Sequence, residues 1–464
     1  MGGDAGPERR GLLLTVCLGA FMATLDTSIV NIALPQMARH FHSSLGEISW
    51  VLVIYLLVNV SLLLTSGRLG DLLPPGRLYL LGLVIFSGAS ALCGLSPTLS
   101  FLVASRGLQA LGACLMLGLA PKIIVSAYAA GERGLALGLF STAFAAGISV
   151  GAPLGGVITN YLGWPYIFFI NLPIGAVGML LGRRALARLT AQGPWSWRAF
   201  DFRGAVVLAG SLVALLLGLT RIRDRGGADA LALAILGAAI GLFVLLLILE
   251  RRREESLLHL GLWRSWPFIA GSLAVVLTFA AVMGAFFLLP FFLEQIYGYG
   301  PQQTGLLLAA LSVPNALVAP LGGYLADRWG NLPVLRTGTG LVLLGLGSLL
   351  LTTPHDTTFS LTGRLVVIGL GFGLFQAPNL NEILRNLPEG LIGLAASTNA
   401  VLKNLGALLG ITATVTVFTW FKLHRTWLGP AAGPEVASFH YAFAVAAGVG
   451  ALSLLTNLLP RRPR

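Results

Sequence analysis

The chain has 464 residues, 56% of them hydrophobic and only 10% charged, with a net charge of +12. Soluble domains carry about 25% charged residues, so this composition excludes a water-soluble fold. Continuous apolar runs of about 20 residues exclude the short alternating strands of a membrane barrel and leave an all-α polytopic membrane protein.

Fourteen spans are expected, over roughly 11–35, 48–67, 77–96, 98–121, 134–160, 164–186, 204–221, 229–250, 267–293, 303–326, 333–352, 359–381, 391–420 and 438–459. Ten residues, most of them polar or glycine, precede a first span too long for a signal-peptide core, so that span is expected to act as its own insertion signal. Its middle holds Asp26, the only charged residue between Arg10 and Arg39. A carboxylate at that depth costs about 2.5–3.5 kcal/mol on insertion scales, which makes it a functional candidate by default. Pro35 and the polar Thr27, Ser28 and Asn31 loosen and solvate the helix around it.

With the N-terminus placed inside, the inner segments hold 21 Lys and Arg and the outer ones 6, while Arg106, Arg364 and Lys403 fall within spans. This bias puts both termini in the cytoplasm. It also assigns the basic charge to topology and anionic-lipid contact rather than to nucleic acid. The use of 27 Arg against 3 Lys, with much Ala, Gly and Leu, fits a GC-rich bacterial source and hence an inner (cytoplasmic) membrane.

Two segments recur. GRLGD at Gly67–Asp71 returns as GGYLAD at Gly322–Asp327, with Asp71 and Asp327 offset by 256, and Arg106 and Arg364 are offset by 258. Two pairs at nearly one offset indicate an N-terminal six-helix half (1–186), a C-terminal six-helix half (267–464), and a linker with two further spans between them (187–266). The connectors QGPWSWRAFDFRG and ERRREES read as cytoplasmic and partly interfacial.

Five further motifs make the chain resemble the major facilitator superfamily, most closely its fourteen-helix drug:proton antiporter branch. They are LDTSIVNIALPQMA (25–38), GRLGDLLPPGR (67–77) with its second copy GYLADRWGN (323–331), RGLQALGACLMLG (106–118), GISVGAPLGGVI (147–158) and WPYIFFINLPIG (164–175). FFLEQIYGYGPQQTG (291–305) and STNAVLKNLGALLG (397–410) are similar to second-half segments of that branch. Departures exist: Leu72 stands where the family has a basic residue, and Ala152–Pro153 shifts the family's proline by one position.

The resemblance implies two six-helix pseudo-repeats plus two inserted helices, and a proton-coupled exporter of hydrophobic, cationic drugs or toxic compounds working by alternating access. It implies proton-coupling or substrate roles for Asp26, Arg106, Gln109 and Glu294. It implies a cytoplasmic latch of Gly67, Asp71, Arg77, Asp327 and Arg328, and a kinked antiporter-motif helix at Gly147, Gly151, Pro153, Gly155 and Gly156. Burial favours the neutral form of a carboxyl group, which suits an acid to exchange protons. A cationic substrate competing with that proton at Asp26 is one expected mechanism.

Glu294 reads either as a solvated interfacial acid or as a cation-attracting vestibule, and Glu382 as interfacial. Met22, Phe286 and Phe287 are candidate pocket walls, with plain packing as the alternative reading. An anionic or lipid-like substrate held by Arg106 and Arg364 is the second expectation, and a membrane sensor or receptor a third. No nucleophile–base pair is visible, so no enzyme is expected. Cys17, Cys93, Cys114 and the HFH of 40–42 suggest neither disulfide nor metal, and no cofactor is expected beyond the proton gradient. The expected partners are a lipophilic small molecule, protons and the bilayer, not nucleic acid.

Overall fold

A computed structural model describes residues 5–189, 202–225, 229–251, 261–385, 387–423 and 434–459. The Asp71 side chain and most of both connectors lie outside the described residues. Every described element is helical: α1 (Ala5–His40), α2 (Leu45–Ile48), α3 (Trp50–Leu72), α4 (Pro75–Gly94), α5 (Leu99–Ala127), α6 (Ala130–Tyr161), α7 (Tyr166–Phe169), α8 (Asn171–Ala187), α9 (Phe202–Arg225), α10 (Ala230–Arg251), α11 (Trp266–Tyr297), α12 (Pro301–Trp329), α13 (Asn331–Leu349), α14 (Thr358–Leu384), α15 (Glu389–Leu423) and α16 (Pro434–Leu458), with a 3-10 turn at Leu262–Arg264.

Local chemistry sets the ends. Ser44 and Glu47 form a reciprocal capping box on α2. Thr98 and Thr357 accept from the Phe101 and Ser360 amides to cap α5 and α14. Pro75, Pro267 and Pro301 occupy first-turn positions, where no N–H is needed. Gly298 ends α11 in the left-handed region at φ 68°.

Thirteen described helices are long and apolar enough to cross a membrane. The seventh expected span lies in α9, whose described apolar stretch is Val206–Ile222. α9 and α10 join through an Arg221–Asp229 ion pair, with Arg221 Nε 2.9 Å from Asp229 Oδ2.

The chain forms two compact units, one of Met1–His42 with Trp50–Val206 and the other of Ser43–Ser49 with Val207–Arg464. In the first, α1 packs on α6 and α8, α4 on α5 and α8, and α3 on α5. In the second, α11 packs on α15 and α16, α13 on α14 and α16, and α12 on α14. Replacing α1, α3, α4, α5, α6 and α8 by α11 to α16 in order turns one pairing scheme into the other, which is the structural form of the repeat.

Glycines carry the closest packing in both units. A Cβ on Gly151 would lie 3.0 Å from the Leu25 carbonyl oxygen, and one on Gly155 would lie 2.7 Å from Ile29 Cγ1. In the second unit Gly406 and Gly410 stand in the same way against the Val276 and Ala280 carbonyls of α11. Small residues let backbones meet where no hydrophobic force drives helices together.

Candidate functional site

Asp26 of α1 and Arg106 of α5 form an ion pair with both side chains 0% exposed. Arg106 Nη1 donates to Asp26 Oδ2 and to Gln109 Oε1, and Arg106 Nε donates to the Val51 carbonyl at 3.2 Å. Gln109 Nε2 donates to Asp26 Oδ1 at 2.8 Å and to Ser90 Oγ at 2.6 Å. Asn171 Nδ2, from the first turn of α8, donates to Asp26 Oδ1 at 3.2 Å and to Ser90 Oγ at 3.1 Å. The guanidinium carbon lies 4.5 Å from the centre of the Tyr55 ring and 5.8 Å from that of Phe168. Five elements, α1, α3, α4, α5 and α8, thus contribute polar or backbone partners.

Helical spacing explains the cluster. Arg106 and Gln109 are three residues apart and share a face of α5. A charge in hydrocarbon is tolerated only where partners replace water, and here they do: the carboxylate accepts three bonds and the guanidinium donates three. Arg106 Nη2 has no hydrogen-bond acceptor among the described residues, and the ring of Tyr55 supplies the contact to the guanidinium. The pair is electrically neutral.

The glycine-rich motif of α6 supports the acid from behind. Gly147, Gly151 and Gly155 face Phe21 to Ile29 of α1, the turns that hold Asp26. Thr24 Oγ1 donates to the Phe144 carbonyl at 3.0 Å and Ser28 Oγ to the Ile148 carbonyl at 2.9 Å. Gly156 is buried and Pro153 half-buried within this helix.

The remaining predicted residues lie elsewhere. Gly67 is twelve residues beyond Tyr55 on α3, about 18 Å along the helix axis. Next to it, the Gly70 carbonyl accepts from Lys122 Nζ. Arg77 is exposed on the first turn of α4, and Asp327 and Arg328 are exposed at the end of α12. Met22 is fully buried in the apolar core of the first unit with Tyr79, Leu83 and Phe86. On α11, Phe287 is buried against Phe291 and Phe286 half-buried, and Glu294 is half-buried one turn before the helix ends.

Arg364, paired with Arg106 by the sequence offset of 258, falls one residue out of the register set by the caps Thr98 and Thr357, and it has a different setting. Its Nη2 pairs with Asp356 Oδ2 at 2.9 Å, in the short loop before α14, and its Nη1 donates to the Ser348 carbonyl. Glu382 corrects the interfacial expectation. It is 1% exposed and accepts from Asn331 Nδ2 at 3.0 Å, because it lies on the face of α14 that packs on α13.

Sequence reasoning did not single out Ser90 or Tyr55, which look like any serine or tyrosine in an apolar helix. Asn171 carried a signal, since it is the asparagine of the FFINLP segment. The three cysteines are free, and the described residues hold no cluster of metal-ligating side chains.

Comparison with known proteins agrees with this architecture. The family model of the Major Facilitator Superfamily matches residues 16–411. The riboflavin transporter RibZ of Clostridioides difficile (strain 630) is 34% identical over 401 residues, covering 86% of each chain. The tetracenomycin C resistance and export protein of Streptomyces glaucescens is 31% identical over 399 residues, covering 86% of this chain and 74% of that protein. Among solved structures, a bacterial homologue of the human lysosomal transporter Spinster, in an inward-facing and occupied conformation, superposes with a TM-score of 0.69 at 15% identity, covering 98% of this chain and 97% of that one, a likeness of fold alone.

Proposed function

The chain belongs to the Major Facilitator Superfamily, as a multi-pass membrane transporter rather than an enzyme, and on that premise we propose that it exports hydrophobic compounds in exchange for protons by alternating access. The observation that carries this reading is the fully buried Asp26–Arg106 pair with its Gln109 and Asn171 donors. A proton added to Asp26 removes the negative charge that compensates Arg106. The guanidinium, left with a surplus charge in apolar surroundings, must move toward water or a new partner. Because Arg106 and Gln109 belong to α5 and Asp26 to α1, that movement loosens one helix from the other, which links protonation to conformation.

The neutral pair gives no electrostatic preference for a cation in this arrangement. A cationic compound meets an ionised Asp26 only where Arg106 has left it. One relative named for riboflavin and another for tetracenomycin C export support a small organic substrate. Further parts of the proposal are an inner-membrane location with both termini cytoplasmic, halves at 1–186 and 267–464 around a 187–266 insert, and a latch of Gly67, Asp71, Arg77, Asp327 and Arg328. Glu294 is proposed as an acid of the mouth and Phe286 as a wall residue.

The test uses the full chain in proteoliposomes with lumenal pyranine. Adding a panel of hydrophobic cations, acids and neutral compounds to the wild type should release protons for at least one member, and Asp26→Asn should release none while retaining its fold. Proton movement by Asp26→Asn at the wild-type rate would overturn the reading.

A further inference from the structure

Three basic side chains lie more than one turn from either end of a predicted span, and two are spoken for. Arg106 is paired with Asp26 and Arg364 with Asp356. The third, Lys403, stands fourteen residues into α15, about 20 Å from the start of that helix, beyond the reach of a lysine stem toward the membrane surface. It is half-buried, and its ammonium lies 5.5 Å from the centre of the Phe279 ring of α11. Phe279 in turn meets Phe372 of α14 edge to face, with centroids 4.9 Å apart. Among the described residues Lys403 has neither a carboxylate partner nor a hydrogen-bond acceptor. A ring face offsets only part of the cost of a charge at that depth, so the ammonium requires water or an anion.

The position is built rather than incidental. Three residues on, Gly406 brings α15 against α11, where a Cβ would lie 2.5 Å from the Val276 carbonyl and 3.0 Å from Phe279 Cβ. This close approach sets the lysine beside the aromatic face. Phe279, Met283 and Phe286 follow one another on that face of α11, each half-buried. The glycine register that matches Gly406 to Gly151 aligns Lys403 with Ile148 in the first unit, so the charge is not a feature of the repeat.

We propose that Lys403, with the half-buried Phe279 and Phe286, binds a flat aromatic acid, so that the exported compounds include aromatic carboxylic acids and similar monoanions. The ammonium takes the carboxylate and the rings take the planar body, which combines one charge with an apolar, polarisable wall. This assignment rests on the export reading above and narrows its substrate class. It also moves the anion site from Arg106 and Arg364, which are already neutralised, to the second unit.

Equilibrium binding to the purified full chain separates the two readings, because it needs no proton gradient. Radiolabelled 1-naphthoate should bind at least tenfold more tightly than the isosteric, uncharged 1-naphthamide. Lys403→Met should abolish that preference while leaving naphthamide binding unchanged, and Lys403→Arg should keep it. A wild type without the preference, or a Lys403→Met protein that retains it, overturns the proposal, as does an equal loss of both ligands in Lys403→Met. Should naphthoate bind with the lysine-dependent preference yet fail to move under a pH gradient, the binding assignment stands and the proton-driven export reading falls.

Discussion

Gln109 bridges both members of the buried ion pair: its amide nitrogen donates to Asp26 at 2.8 Å while its amide oxygen accepts from Arg106. One neutral side chain therefore feels the charge state of each partner, and loss of either charge leaves one of its two bonds weakened.

Removing one member of a buried pair exposes the other to an uncompensated apolar setting, at a cost of about 3–5 kcal/mol. Asp26→Asn and Arg106→Gln are each expected to lower the melting temperature of the detergent-purified protein. The double variant should melt above the sum of the two losses, because no unpaired charge remains. Strict additivity in a thermal-shift series would show that the two residues do not share an interaction.

The glycines of α6 make a sharper mutational contrast than their number suggests. Gly147→Ala should cost about 1–3 kcal/mol and impair transport, since its Cβ would overlap Thr24 Oγ1 and approach the Phe21 carbonyl oxygen at 2.5 Å. Gly138→Ala, on the same helix, meets nothing within 4 Å and should be neutral or slightly stabilising. Transport and melting curves measured side by side check both, and equal tolerance at the two positions would contradict the close helix approach.

Arg364 and Arg106 stand one residue out of register between α14 and α5, counted from the caps Thr357 and Thr98, and should behave differently. The Arg364–Asp356 pair is 18% and 15% exposed, at a loop, whereas Asp26 and Arg106 are both 0% exposed, so water can reach the partner that loss of Arg364 leaves behind. Arg364→Gln should keep transport within about twofold of wild type on this argument, whereas Arg106→Gln should abolish it. Matching losses in a rate assay would make the two arginines functional equivalents.

Charge counting separates the possible substrates. Exchange of one proton for a monovalent cation moves no net charge, for a neutral compound one, and for a monovalent anion two. A potential of 100 mV adds about 2.3 kcal/mol per charge moved. Valinomycin-imposed, inside-negative potentials in inside-out-oriented assays should therefore leave cation exchange unaffected and alter anion exchange most steeply. A voltage response that does not scale with substrate charge would exclude one-proton coupling.

Much of the site was legible because intramembrane charge is expensive and therefore rare. Asp26, Arg106 and Gln109 stand out from apolar surroundings, and Arg106 and Gln109 are placed on one face by helical spacing alone. Ser90 and Tyr55 were not legible, since a lone hydroxyl in a helix is as well satisfied by its own backbone as by a distant partner. Glu382 was misjudged for a related reason. Position near a helix end suggests water, but the partner face of α13, with Asn331, buries it.

By itself the sequence determined the membrane class, the number and spacing of the apolar segments, the repeat and the residues that carry charge at depth. Each of these follows from local hydrophobicity and spacing, which lipid imposes segment by segment. Only the tertiary structure decided which charges meet. Asp26 and Arg106 are eighty residues apart, and their pairing depends on α1 and α5 packing in one unit. The same structure gave Arg364 a loop partner and left Lys403 facing aromatic rings, because partner choice is set by helix packing rather than by position in the repeat.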